Sequence, residues 1–130
     1  MLRVDYDSIK PIYLQIAEAI EDDVLTGHLS EGSPAYSQLT LSKELGVNPA
    51  TAAKGINVLV QEGILEKQRG QSMTVAKGAR AKLVTNRQKN GLQSLVGDLV
   101  AEARKIELPE KEVIALLKDS FTANGGGQQA

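Results

Sequence analysis

Apolar positions recur at spacings of three and four over most of this chain, and the interruptions between those runs mark out its elements. Ile12, Ile16, Ala19 and Ile20 form a stripe that Tyr13, Val24 and Leu25 widen. That period predicts a first helix starting near Ser8, holding Pro11 in its first turn and ending at Gly27. Leu41 and Leu45 lie four apart behind a capping Ser37, and Gly46 stands where a helix ends in positive φ. Asn48 and Pro49 then supply an N-cap and an N1 residue for a third helix to Gln61, with Ala52, Ile56, Leu59 and Val60 facing the core. Val47, between the two, is expected to plug the turn into the core.

After Glu62-Gly63 the period changes. Ile64 to Gln68 and Ser72 to Val75 flank Arg69-Gly70-Gln71, which predicts a hairpin. Lys77 to Asn90 is polar and basic, a connector merging into a helix. Leu92, Leu95, Val96, Leu99, Val100, Ala103 and Ile106 restore the helical stripe until Leu108-Pro109 breaks it. Pro109 then starts a last helix with Val113, Leu116, Leu117 and Phe121 on one face. Thr122 to Ala130, rich in glycine and glutamine, is expected to be a disordered tail.

Three helices followed by a hairpin make a winged helix, so the fold class is mostly α with a small β-hairpin wing. The domains expected are a winged helix-turn-helix over 1–76, a basic connector over 77–90, a two-helix module over 91–121 and a tail over 122–130. Two short amphipathic helices cannot bury their apolar faces alone. Leu92, Leu95, Val96, Leu99, Val100, Ala103, Val113, Leu116 and Leu117 are therefore expected to pair with a second copy, packing back onto the same chain being the other solution.

On the third helix Ala50, Lys54, Asn57 and Gln61 lie opposite the core stripe, flanked by Thr51 and Ala53. Small residues would let that face approach a major groove, with Thr51 and Asn57 offering hydrogen bonds and Lys54 a charge. Lys67 and Arg69-Gly70 would bring the hairpin to a phosphate backbone, and an ordinary solvated face is the plain alternative.

Charge complicates this picture. The formal net charge is −1, unpromising for a polyanion, but its distribution is uneven. Glu18, Glu21, Asp22 and Asp23 cluster in the first helix, whereas Lys67 to Gly97 contains no acid and carries Lys67, Arg69, Lys77, Arg80, Lys82, Arg87 and Lys89. A DNA face is expected to gather Lys54, Lys67, Arg69, Lys77, Arg80 and Lys82, with the acidic cluster turned away.

Other chemistry finds little footing. There are no cysteines, so disulfides, thiolate metal sites and thiol nucleophiles are excluded together. His28 is the only histidine and has no second ligand nearby in sequence, so no metal is expected. Gly27 and Gly32 are spaced like part of a phosphate loop, but Ser33 and Pro34 follow where Lys and Ser or Thr are required. No cofactor and no catalysis are expected. No apolar run approaches the length needed to span a bilayer, and the expectation is a cytoplasmic chain with no membrane partner.

At this point the sequence resembles the GntR family of bacterial winged-helix regulators, in its small YtrA-like branch. Pro11 to Ile16 resembles the family's opening helix, Thr26 to Leu29 with Gly32 its loop, Leu45 to Thr51 its turn, and Glu62 to Leu65 with Arg69-Gly70 its wing. The resemblance implies DNA contacts at Ser37, Thr51, Lys54, Arg69 and Gly70, and a dimerising role for the C-terminal helices. Two departures stand out: Leu39 replaces a basic residue usual in the family, and Lys54 stands where arginine is frequent, giving a point charge in place of a bidentate fork. The function implied is a homodimeric repressor binding double-stranded DNA at an inverted repeat, with release by a small-molecule effector left open. A winged helix that binds a protein partner is the alternative.

Overall fold

The computed structural model describes residues 2–67 and 73–125. The elements in order are α1 (Ile12–Thr26), α2 (Gln38–Leu45), α3 (Pro49–Gln61), strands β1 (Leu65–Lys67) and β2 (Met73–Val75), α4 (Ala79–Asn86), a π-helical turn (Arg87–Gly91), α5 (Leu92–Lys105) and α6 (Glu110–Gly125). Two compact units result, residues 1–87 and 88–130. Among the described residues no helix is long and apolar enough to cross a membrane.

The helix-turn-helix forms as its capping residues require. Ser37 Oγ accepts from the Thr40 amide at 3.0 Å, and Asn48 Oδ1 accepts from the Ala50 amide at 2.7 Å. Each bond satisfies an amide that the first turn of a helix leaves without a partner. Gly46 takes φ 66° between them, a conformation that costs a glycine little. Val47 is buried as expected and Leu41 completely so, while Ser42 Oγ donates to the Val47 carbonyl at 2.7 Å. The turn is thus locked from both helices.

The core of the first unit joins Ile16, Ile20 and Val24 of α1 to Ala52, Ile56 and Leu59 of α3, with Ile64, Leu65 and Val75 closing it beneath the hairpin. Gly55 sets the distance between α1 and α3. A Cβ placed there would stand 2.9 Å from the Tyr13 carbonyl oxygen and 3.0 Å from the Ile16 side chain, so only a hydrogen fits.

Several elements differ from the sequence-based expectation. α1 begins at Ile12, not near Ser8, because a residue preceding proline is driven out of the helical region, and Lys10 precedes Pro11. Ser8 instead closes a local turn by accepting from the Lys10 amide at 3.1 Å. Within the described residues the hairpin pairs Leu65 with Val75, Glu66 with Thr74 and Lys67 with Met73, while Gln68 and Ser72 of the expected runs lie outside the described residues. A third segment, invisible in the hydropathy, runs along β2: the Gly32 amide donates to Val75 O at 2.7 Å and the Ala35 amide to Met73 O at 2.8 Å. Glu107, at φ 57°, ends the α5 region before Leu108-Pro109, and the Leu108 amide reaches back to Ala103 O at 2.9 Å. Residues 122–125, expected in a tail, continue α6, with Thr122 Oγ1 donating to Lys118 O.

The largest difference is α4. The segment expected as a connector buries Ala79 and Leu83 in the core, which carries the first unit to Arg87, past the expected boundary at residue 76. Its polar composition hides two apolar contacts four residues apart. Glu31 holds its start: the Gly78 and Arg80 amides donate to the two oxygens of that carboxylate at 2.9 and 3.1 Å. The N-terminus of a helix thus receives an anion from a loop far away in sequence.

In an open helix Gly→Ala gains about 1 kcal/mol, but overpacking costs about 1–3 kcal/mol. Gly55→Ala is therefore expected to lower the urea midpoint, whereas Gly97→Ala, where an added Cβ meets nothing within 4 Å, raises it. Two midpoints moving in the same direction would contradict this.

The Gly78 amide, then that of Arg80, holds the Glu31 carboxyl below its usual value of 4.5. A carboxylate with a depressed folded-state pKa stabilises the fold above the unfolded value and loses that contribution as pH falls through the folded one. Glu31→Gln should thus be less stable than the parent at pH 7, with the gap narrowing once pH drops below about 4.5. Urea titrations of both proteins across that range provide the check.

Candidate nucleic-acid interface

The face of α3 opposite the core stripe is open in the structure. Ala50, Lys54, Asn57 and Gln61 are exposed, and Thr51 and Ala53 are half-buried beside them. Asn48 caps this helix, so its first turn presents Ala50 and Thr51 on a fixed backbone. Lys54 does not hang freely in solvent. Its Nζ stands 4.2 Å from the centroid of the Tyr13 ring on α1, within the reach of a cation–π contact.

A cleft of about 360 Å³ lies between the start of α2, the middle of α3 and the hairpin. Ser37, Gln38, Asn57 and Lys67 supply its polar lining, and Ala53, Ile56 and Met73 its apolar floor. Three residues singled out separately in the sequence, Ser37, Asn57 and Lys67, thus share one concavity. Gln38 and Met73 join them unforeseen, since nothing in sequence periodicity says which strand residue will stand beside the third helix. Arg69 and Gly70 lie outside the described residues.

Leu39 is 62% exposed on α2, in the first turn, two residues after the Ser37 cap. At the position where the resemblance implies a basic residue, this chain presents an isobutyl group to solvent. Behind it Tyr36 donates its hydroxyl to Asp23 Oδ2 at 2.8 Å, which ties the approach to α2 onto α1. Burial first, and the Asp23 carboxylate second, push this phenol up to about 12.

The basic segment after the hairpin behaves differently from the expectation of a common positive face. Arg87 donates to both Glu21 and Asp22, at 3.1 and 2.9 Å. Arg80 Nε donates to the Leu25 carbonyl at 3.0 Å, and Lys82 Nζ reaches Glu62 O at 3.4 Å. The acidic cluster is therefore not simply turned away from the cations: two of its members hold Arg87. Burial raises the Glu21 carboxyl above its ordinary value, against the pull of Arg87, the residue that follows α4. In contrast Lys54 and Lys67 make no ion pair among the described residues.

In the second unit only Ala103 of the expected apolar face is buried. Leu99 and Val113 are half-buried, while Leu92, Leu95, Val96, Val100, Leu116 and Leu117 remain exposed, Leu95 by 65%. Among the described residues no group of three or more His, Cys, Asp or Glu could hold a metal ion, and His28 Nδ1 lies 2.9 Å from Thr26 Oγ1.

Comparison with known proteins agrees with this architecture. Residues 12–75 match the profile of bacterial regulatory proteins of the gntR family. The HTH-type transcriptional repressor YtrA of Bacillus subtilis is 31% identical over 101 residues, 75% of this chain and 78% of that protein. Among solved structures, YtrA from Sulfolobus acidocaldarius, a GntR-family transcription factor, superposes with a TM-score of 0.60 at 30% identity, covering 77% of this chain and 97% of its own. A GntR family regulator from Listeria monocytogenes shares the fold with a TM-score of 0.72 at 24% identity, over 88% of this chain and 98% of that one. The chain belongs to the GntR family, as a YtrA-like DNA-binding transcription regulator and not an enzyme.

Proposed function

We propose that this regulator acts as a homodimeric repressor that places two α3 helices in successive major grooves of an inverted repeat. The observation that carries the reading is the apolar face of α5 and α6. Leu92, Leu95, Val96, Val100, Leu116 and Leu117 stay exposed in the folded chain, too many apolar side chains in two helices to be indifferent to burial. A second copy offers the same face, and a two-fold interface of this kind is self-complementary. Leu99, Ala103 and Val113, more buried, would form the floor of that seam. The B. subtilis relative is named a repressor, which supports the direction of regulation.

In the DNA complex Ala50 lets α3 approach the groove, Thr51 and Asn57 read base edges, and Ser37 meets the backbone at the start of α2. Lys54 and Lys67, with Arg69 and Gly70 at the wing, supply phosphate contacts. Contacts of the first kind select sequence and those of the second supply affinity on any sequence.

The dimer is tested with Leu95→Asp. Leu95 is exposed within the chain, so the aspartate costs the isolated fold little, but pairing would force it into an apolar seam at several kcal/mol. Sedimentation should show a monomer that keeps its helical circular-dichroism signal, with operator affinity reduced to that of a half-site. A dimer persisting at micromolar concentration would place the interface elsewhere.

The division of labour is tested by alanine substitution. Lys54→Ala should weaken specific and random DNA alike and reduce the slope of log K against log salt by about 1 per subunit. Thr51→Ala or Asn57→Ala should cost about 1–3 kcal/mol on the operator and little on random DNA. Equal losses on both DNAs for Thr51→Ala would remove it from base recognition.

A further inference from the structure

We propose that Tyr13 is a positioning residue for DNA binding: its ring holds the Lys54 ammonium in place at the exposed edge of α3 without cancelling its charge. The inference rests on α3 facing DNA and adds a residue from a helix that does not itself face the groove. Its geometric origin is the crossing at Gly55. Because Gly55 lacks a side chain, α1 comes so close that the Tyr13 carbonyl oxygen lies 2.9 Å from where a Cβ would be. The same approach brings the Tyr13 ring beneath the neighbouring residue of α3, and Lys54 Nζ settles 4.2 Å from its centroid.

What a ring does here differs from what a carboxylate would do. Lys10 is held by Glu18 at 2.7 Å and Arg87 by Glu21 and Asp22, and in both cases the acid neutralises the cation it orders. An aromatic face attracts an ammonium through its quadrupole and carries no net charge, so the full positive charge of Lys54 remains available. An ammonium also has three N–H donors, and those turned away from the ring can still meet phosphate oxygens. A lysine stem otherwise free in solvent loses its rotamer freedom when it docks. Here part of that loss has been met in folding, which favours association.

The test varies the ring without changing its shape. Tyr13 is replaced by phenylalanine and by progressively fluorinated phenylalanines, whose quadrupole fades while their size barely changes. Binding of the full-length chain to a short random-sequence duplex is followed by fluorescence anisotropy across a salt series. Tyr13→Phe should bind like the parent, and the fluorinated series should weaken stepwise to about 2–5-fold per subunit, the range that a cation–π contact at an exposed site provides. In a Lys54→Ala background the same series should be flat. Stepwise loss that persists without Lys54 would show that the ring acts through helix packing alone, and a series that is flat with Lys54 present, or that tightens binding, would equally overturn the proposal. The underlying reading fails separately: if Lys54→Ala by itself leaves affinity and salt slope unchanged, Lys54 does not meet DNA at all.

Discussion

The crossing of α1 over α3 is the contact on which the rest of the first unit depends. α3 is packed against α1, α2 and β1, so its placement fixes the turn, the hairpin and the open face together. At Gly55 the two helices approach with only hydrogen between them. Around that point Ile16, Ile20, Ala52, Ile56 and Leu59 are all but completely removed from water, each large side chain contributing about 1.5–3 kcal/mol. A larger residue at 55 would lever the helices apart, and the damage would reach every element that reads its position from α3.

The termini of the elements are tied down from a distance. Tyr6, on the N-terminal arm, donates its hydroxyl to Gly46 O at 3.3 Å, across the turn of the helix-turn-helix. Asp5 and Gln15 exchange hydrogen bonds at 2.6 and 2.9 Å, which fastens the same arm to α1. Glu31 does for α4 what Ser37 and Asn48 do for their own helices, with the difference that its amides lie 47 and 49 residues away. None of these bonds is strong alone, since a typical one contributes about 0.5–1.5 kcal/mol net. Together they remove the freedom of loops that would otherwise blur the face α3 presents.

A chain of net charge −1 that binds a polyanion must separate its charges by use, not by number. Arg87 and Lys10 are committed to carboxylates, and Arg80 to a backbone carbonyl. Lys54 is ordered by a ring instead, and Lys67 lines the cleft beside α3. Cations of the first group hold the fold together, and those of the second leave their field outside it. Leu39, in the first turn of α2, adds an exposed apolar side chain and no charge.

How much of this could be read from the chain follows the range of the forces involved. Caps and turns are local, so Ser37, Gly46, Asn48 and Pro49 announced the helix-turn-helix, and the 3.6-residue period gave the core faces of α1 and α3. Leu92 to Val100 likewise declared an apolar face whatever covers it. Family resemblance in the turn and wing carried the functional class, because those motifs combine several such local constraints in a fixed order. What the sequence could not show were pairings between distant segments. Gly55 looks like an ordinary weak point of a helix until α1 is laid against it, and Gly32 to Ala35 looks like loop until β2 lends it a partner. α4 reads as a basic connector because only Ala79 and Leu83 face inwards, and two apolar residues make no period. The fate of each charge was equally hidden: Arg87 and Lys54 are both cations on helices, and only tertiary placement gave one a pair of carboxylates and the other a tyrosine ring. Electrostatic and steric partners are chosen in space, and the spacing of residues along a chain constrains them only within a turn or two of helix.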